Sequence, residues 1–145
     1  MEKHRCFYVL VDKRGTMSQQ DYENGLRVRT EVMGEEFVSR AMEQTTPLTE
    51  PVQSWINEHA WGSTWQRDGL PRSTRSLVTI AMLAALKAPA ELKGHVRGAL
   101  RNGCTPQEIQ EVLLHSFVYC GAPAAQEAFR AAKEVIEAWE ADQGA

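Results

Sequence analysis

Leu77-Val78-Thr79-Ile80-Ala81-Met82-Leu83-Ala84-Ala85-Leu86 is the most apolar stretch of the chain, hydrophobic nearly all round. Its β-branched residues are too few to favour a strand, so it predicts a central core helix from Arg72 to Lys87. Gly69-Leu70-Pro71 interrupts the chain ahead of it, and Pro89 suits the first turn of the helix that follows, which stops at Asn102-Gly103. Thr105-Pro106-Gln107-Glu108 is the clearest cap, a capping box with proline at the first helical position. The helix it opens should bury Ile109, Val112, Leu113, Ser116 and Phe117 and stop at Gly121. A last amphipathic helix is expected from Pro123 to Ala141.

Upstream, Ser18 with Asp21 resembles a capping box for a helix that ends at Met33, before Gly34. A short helix is expected from Glu35 to Gln44, where Thr45-Thr46-Pro47 breaks the pattern. Thr49 caps a third, whose first turn tolerates Pro51 and whose inner face presents Trp55, Ile56 and His59. Only Cys6 to Val11 reads as a possible strand. The class is therefore all-α, a single-domain helical bundle of about six helices. Met17 directly precedes a helix start, so residues 1–16 read as an N-terminal extension of uncertain origin and 17–145 as the domain.

The net charge of −3 comes from 19 acidic and 16 basic residues, the latter scattered rather than gathered into a patch that tracks phosphates, so nucleic acid is not an expected partner. No apolar run approaches the roughly 20 residues that span a bilayer, and the opening segment lacks a signal-peptide cleavage pattern. No membrane partner is expected. Cys6, Cys104 and Cys120 leave one cysteine over in any disulfide scheme, which favours free thiols and a cytoplasmic location. No His-x-x-x-His or Cys-x-x-Cys spacing occurs, so no metal site is expected.

Ala60-Trp61-Gly62-Ser63-Thr64-Trp65-Gln66-Arg67-Asp68-Gly69-Leu70, Arg72-Ser73-Thr74-Arg75-Ser76-Leu77, Glu91-Leu92-Lys93-Gly94-His95, Asn102-Gly103-Cys104-Thr105 and Glu111 to His115 with Tyr119-Cys120-Gly121 follow one another in order. Together with Asp21 to Arg29 and Gly34, these blocks closely resemble the carboxymuconolactone decarboxylase family. The resemblance implies an alkylhydroperoxidase-like fold and a ring-like homo-oligomer, a hexamer or trimer. In the thiol peroxidases of the wider superfamily a Cys-x-x-Cys-x-x-x-His pattern lies on the equivalent helix. Here His95 matches the histidine while Ala88 and Glu91 occupy the cysteine positions, and neither forms a thiolate or a disulfide. A thiol-dependent antioxidant relative and a non-catalytic binding module of the same fold are the alternatives.

The reaction the resemblance implies is conversion of 4-carboxymuconolactone, a small dianionic lactone, to 3-oxoadipate enol-lactone in protocatechuate breakdown. Loss of carbon dioxide leaves a carbanion that delocalises onto the lactone carbonyl, so the substrate is its own electron sink and no cofactor is expected. The protein must fix two carboxylates, stabilise charge on the lactone oxygen and deliver a proton to carbon. Arg72 and Arg75, three apart at the start of the core helix, and Arg67 before them offer planar forks for carboxylates. Trp61 and Trp65, four apart, suit an apolar wall for the leaving carboxylate. Glu91 and His95, also four apart, share a helix face, with His95 as general acid and Glu91 as its orienting partner. His115 and Tyr119 form a second such pair, able to bond the lactone oxygen. Each of these also fits a plainer role: the arginines as solvated charges, the tryptophans as core or interface, His115 as a buried histidine.

Overall fold

The computed structural model describes residues 19–144. Among them lie seven α-helices and no strand: α1 (Gln19–Met33), α2 (Glu35–Glu43), α3 (Glu50–Trp55), α4 (Arg72–Ala85), α5 (Pro89–Arg101), α6 (Pro106–Cys120) and α7 (Ala122–Gln143). Helix α3 runs straight into a π-helical segment, Ile56–Thr64. The expected strand at Cys6–Val11, the Ser18 cap and the extension 1–16 lie outside the described residues. No described helix is long and apolar enough to cross a membrane.

Helix α6 begins as its cap dictates. The Thr105 hydroxyl accepts from Glu108 N–H at 3.1 Å, and the Glu108 carboxylate accepts from Thr105 N–H at 2.7 Å, so two of the helix's orphan donors are satisfied. At its other end Gly121, at φ 83°, supplies the left-handed turn into α7.

Two apolar cores result. One joins α4, α5, α6 and α7 through Ile80, Leu92, Val96, Ile109, Leu113 and Ala128. The other joins α1, α2 and the π-helical segment through Val28, Val32, Val38, Trp61 and Trp65. Helix α5 belongs to the first core and also packs on α1, so it connects the two.

Helix α4 corrects the reading of an all-round core helix. Only Ser76, Ile80 and Ala84 are buried, while Val78, Met82 and Leu86 face outward. Its neighbour α6 likewise buries Ile109, Leu113 and Ser116 but leaves Phe117 exposed and Val112 half-buried. Each of these helices carries two apolar faces, and a single chain of this size covers only one.

The third helix is corrected too. From Ile56 the backbone bonds i to i+5, as in Trp65 N–H to Ala60 O at 3.0 Å, and the wider turn shifts the phase of the inner face. Asn57, Trp61 and Gly62 point inward, and Trp55 is exposed, with its ring against His59. Two glycines set how closely α1 crosses this segment. A Cβ on Gly25 would meet Asn57 O at 1.8 Å, and one on Gly62 would meet Asp21 O at 2.3 Å. Backbone therefore touches backbone, and only glycine fits on either side.

Candidate active site

One turn beyond Gly25, α1 drives Arg29 into the crossing. It is only 6% exposed, and its Nη1 donates to Asn57 Oδ1 at 3.0 Å and Gln53 Oε1 at 3.1 Å. Burial lowers the guanidinium's pKa, with nearby Tyr22 acting in the opposite sense. A guanidinium nonetheless keeps its proton in a protein, so this is a buried positive charge held by two neutral amides. Among the described residues no carboxylate pairs with it.

The π-helical segment then presents Trp61, and Trp65 follows it, both essentially buried and stacked with ring centroids 4.7 Å apart. His95, from α5, lies nearly parallel to Trp61 at 6.2 Å and faces Trp65 at 6.4 Å. The imidazole makes no hydrogen bond to the described residues, and its pKa falls from 6.5 to about 4. Burial is the main cause; the positive charge of Arg29 adds to it, and the carboxylate of Glu91 opposes it. At neutral pH the free site therefore holds a neutral imidazole, an aromatic wall and a buried cation.

The structure brings His95, Trp61 and Trp65 together, with Glu91 exposed one turn away and acting on His95 through its charge rather than a hydrogen bond. The other expected residues stand elsewhere. Arg72 is engaged with Glu31 at 2.8 Å on the surface, and Arg75 donates to the carbonyl of Arg67 at 2.8 Å, with the Arg67 side chain exposed. His115 and Tyr119 do pair, ring to ring at 5.0 Å, but on an exposed face of α6, so His115 is not the buried histidine its apolar neighbours suggest. It lines a 570 Å³ apolar groove between α4 and α6 with Leu77, Val78, Leu114 and Val118.

Arg29 was not among the residues singled out from the sequence. The available signals were two glycines inside helices, Gly25 and Gly62, with a charge one turn after the first and an amide, Asn57, among apolar neighbours.

Cys104 does not have the surroundings of a nucleophile. It is buried and donates to Ser73 O at 3.4 Å, and burial and then Glu108 push its pKa up. Among the described residues no three His, Cys, Asp or Glu side chains converge as metal ligands.

The Carboxymuconolactone decarboxylase family model matches residues 50–134, from the start of α3 well into α7. The chain belongs to the carboxymuconolactone decarboxylase family. It is 46% identical over 119 residues to the 4-carboxymuconolactone decarboxylase of Acinetobacter baylyi, covering 82% of this chain and 89% of that protein. A nitrosuccinic acid decarboxylase of Metarhizium robertsii is 45% identical over 115 residues, covering 79% and 80%. An uncharacterized 15.0 kDa protein of Paracoccus denitrificans is 37% identical over 103 residues, covering 70% and 75%. The family match takes in His95, Glu91 and both tryptophans, whereas Arg29 lies before it.

Proposed function

We propose that this protein is a cofactor-free carboxy-lyase that converts 4-carboxymuconolactone to 3-oxoadipate enol-lactone. The observation that carries the reading is the imidazole of His95, set against the Trp61–Trp65 stack within reach of a buried positive charge. Identity of 46% to a protein with this activity in its name adds support. Nitrosuccinic acid, in the name of the second relative, is likewise a dicarboxylic compound with one carboxyl on a carbon activated by an electron-accepting group. Both compounds supply their own electron sink, and a decarboxylase for either needs mainly an apolar seat for the leaving carboxylate and a proton donor.

In this reading the leaving carboxylate lies against Trp61 and Trp65, where loss of its charge is favoured over its retention. His95, neutral in the free protein, takes up a proton as the dianion arrives, because two negative charges more than offset the field of Arg29. Carbon dioxide departs with the C–C bond pair left on the ring, which spreads it onto the lactone oxygen. The imidazolium then gives its proton to the ring carbon next to the carbonyl and returns to its neutral form. Glu91 favours the charged imidazolium throughout.

The outward face of α4 and α6, with Val78, Met82, Leu86, Phe117 and Val118 exposed, supports a homo-oligomer; its size, a trimer or hexamer, is taken from the family resemblance, and its place in the cytoplasm from the unpaired cysteine count. An apolar surface of this extent is characteristic of a subunit contact. His115 and Tyr119 stand on that outward face, and in this reading they act there on substrate entry rather than on the ring held at His95.

The test is to mix the purified protein with the lactone, without metal or cofactor, and follow carbon dioxide release. Turnover that His95→Ala abolishes in a folded oligomer is the expected result. Near-normal turnover in that variant removes His95 from the reaction, and no turnover in the wild type overturns the function.

A further inference from the structure

We propose that Arg29 is the residue that binds the carboxylate the substrate keeps, and that Asn57 is its positioning residue. The inference rests on the carboxy-lyase reading of the site and gives a role to a residue that the sequence blocks include without assigning it one.

Arg29 uses Nη1 for both amide contacts, which leaves Nε and Nη2, the two parallel donors of a guanidinium edge, without a hydrogen bond among the described residues. No described carboxylate pairs with it, although it is 6% exposed. A buried cation in that condition calls for an anion from outside the chain.

Asn57 strengthens the case. A guanidinium only donates, so the Asn57 amide must turn its oxygen towards Arg29. Its nitrogen is thereby fixed as a donor, and this atom is buried with no acceptor. Both groups at the crossing are thus donor-rich, and no protein acceptor answers them. Packing holds them there, because Gly25 and Gly62 bring α1 against the backbone of Asn57 itself.

The choice between the two carboxylates follows from the reaction. A bidentate ion pair with the leaving group would stabilise the ground state and slow its loss. The same pair with the kept carboxylate holds the ring in register with His95 and is indifferent to the chemical step. The charge of Arg29 acts on the imidazole of His95, so a carboxylate held by Arg29 would act on the same ring that must deliver the proton.

The experiment compares wild type, Arg29→Gln and Arg29→Lys with two ligands: the reactive lactone, and 2-furylacetate, a stable furan carrying only the kept acetate arm. Binding of 2-furylacetate is read from Trp61 and Trp65 fluorescence and as competitive inhibition. Arg29→Gln should raise KM and weaken 2-furylacetate at least about 30-fold each, with a smaller change in kcat, and Arg29→Lys should restore part of both. Asn57→Asp, which puts a carboxylate of the chain's own on Arg29 in place of the neutral amide, should weaken 2-furylacetate more than Asn57→Leu, which only releases the guanidinium.

An Arg29→Gln protein that melts like wild type and binds both ligands normally overturns the proposal. So does a variant with raised KM for the lactone but unchanged 2-furylacetate binding, since Arg29 then holds the leaving carboxylate. Should the variants not fold, the Arg29 Nε–H resonance of the wild type serves instead: a saturable shift with 2-furylacetate supports the contact, and no shift overturns it. Wild type that binds 2-furylacetate through Arg29 yet releases no carbon dioxide keeps this contact and overturns the carboxy-lyase reading alone.

Discussion

Acidification should unfold this protein partly through one side chain, His95. In the unfolded chain an imidazole titrates near 6.5; in the fold His95 is held down to about 4. Above pH 6.5 both states are neutral and the group adds no pH dependence. Between 6.5 and 4 the unfolded chain binds a proton that the folded one refuses, so stability falls as pH falls, and below about 4 the loss is complete. The full difference is roughly 3 kcal/mol, and about 2 kcal/mol of it is reached by pH 5. For a urea slope near 2 kcal/mol per molar, that is a midpoint change of about 1 M. The assay is urea unfolding of wild type and His95→Gln at pH 7.5 and pH 5, with the difference between the two proteins cancelling carboxylates common to both. Wild type should lose about 1 M of midpoint more than the variant. Equal losses, or a His95 ring signal that titrates at 6.5, would refute the claim that burial and Arg29 keep this ring neutral.

Gly25→Ala places a Cβ where 1.8 Å separates it from Asn57 O, and both partners are backbone. The cost should be at the upper end for overpacking, about 3 kcal/mol, and a melting temperature lower by roughly 10 °C is the measurement. Glu91→Gln removes the negative charge that raises the His95 pKa, so NMR titration should find the ring below its wild-type value, with kcat reduced. Thr105→Ala breaks the cap of α6 at a distance from the aromatic stack. It should lower stability by about 1 kcal/mol in denaturant titrations while leaving kcat unchanged.

Local chemistry made most of the helix boundaries legible. The Thr105–Glu108 box, Pro89 and Gly121 act within a turn of themselves, and the ends of α5 and α6 lie where these residues put them. The partnership of His95 with Trp61 and Trp65 was legible through family blocks rather than spacing, since the residues come from different helices. Two features were not legible. The i to i+5 bonding after Ile56 has no residue signature of its own; it coincides with the close crossing of α1 at Gly62, a contact between segments far apart in the chain. Arg29 depends on the same crossing: alone on α1 it reads as a surface charge, and only the Gly25–Gly62 approach buries it. Apolar patterning in α4 and α6, finally, marks more than one apolar face on each helix without saying which of them the chain itself buries.

Charge accounting ties the buried cation to the neutral ring. With Glu91 exposed to water and its charge screened there, the buried part of the free site carries the single positive charge of Arg29, and a dianion bound there would leave one uncompensated negative charge in a poorly solvated space. Protonation of His95 cancels that charge. When carbon dioxide leaves, the bond pair stays on the ring and the total is unchanged; when the imidazolium gives up its proton, a monoanionic product remains beside Arg29 alone. Every stage is then close to neutral, which an apolar site requires. A consequence is measurable: at pH 7, where a ring with pKa about 4 begins unprotonated, binding of the lactone should take up about one proton per site. Calorimetry in buffers of different ionisation enthalpy, with Asn57 and Arg29 intact and turnover slowed by low temperature, reads that number directly. Uptake near zero would mean that the ring stays neutral in the complex, and the proton delivered to carbon would have to come from another donor.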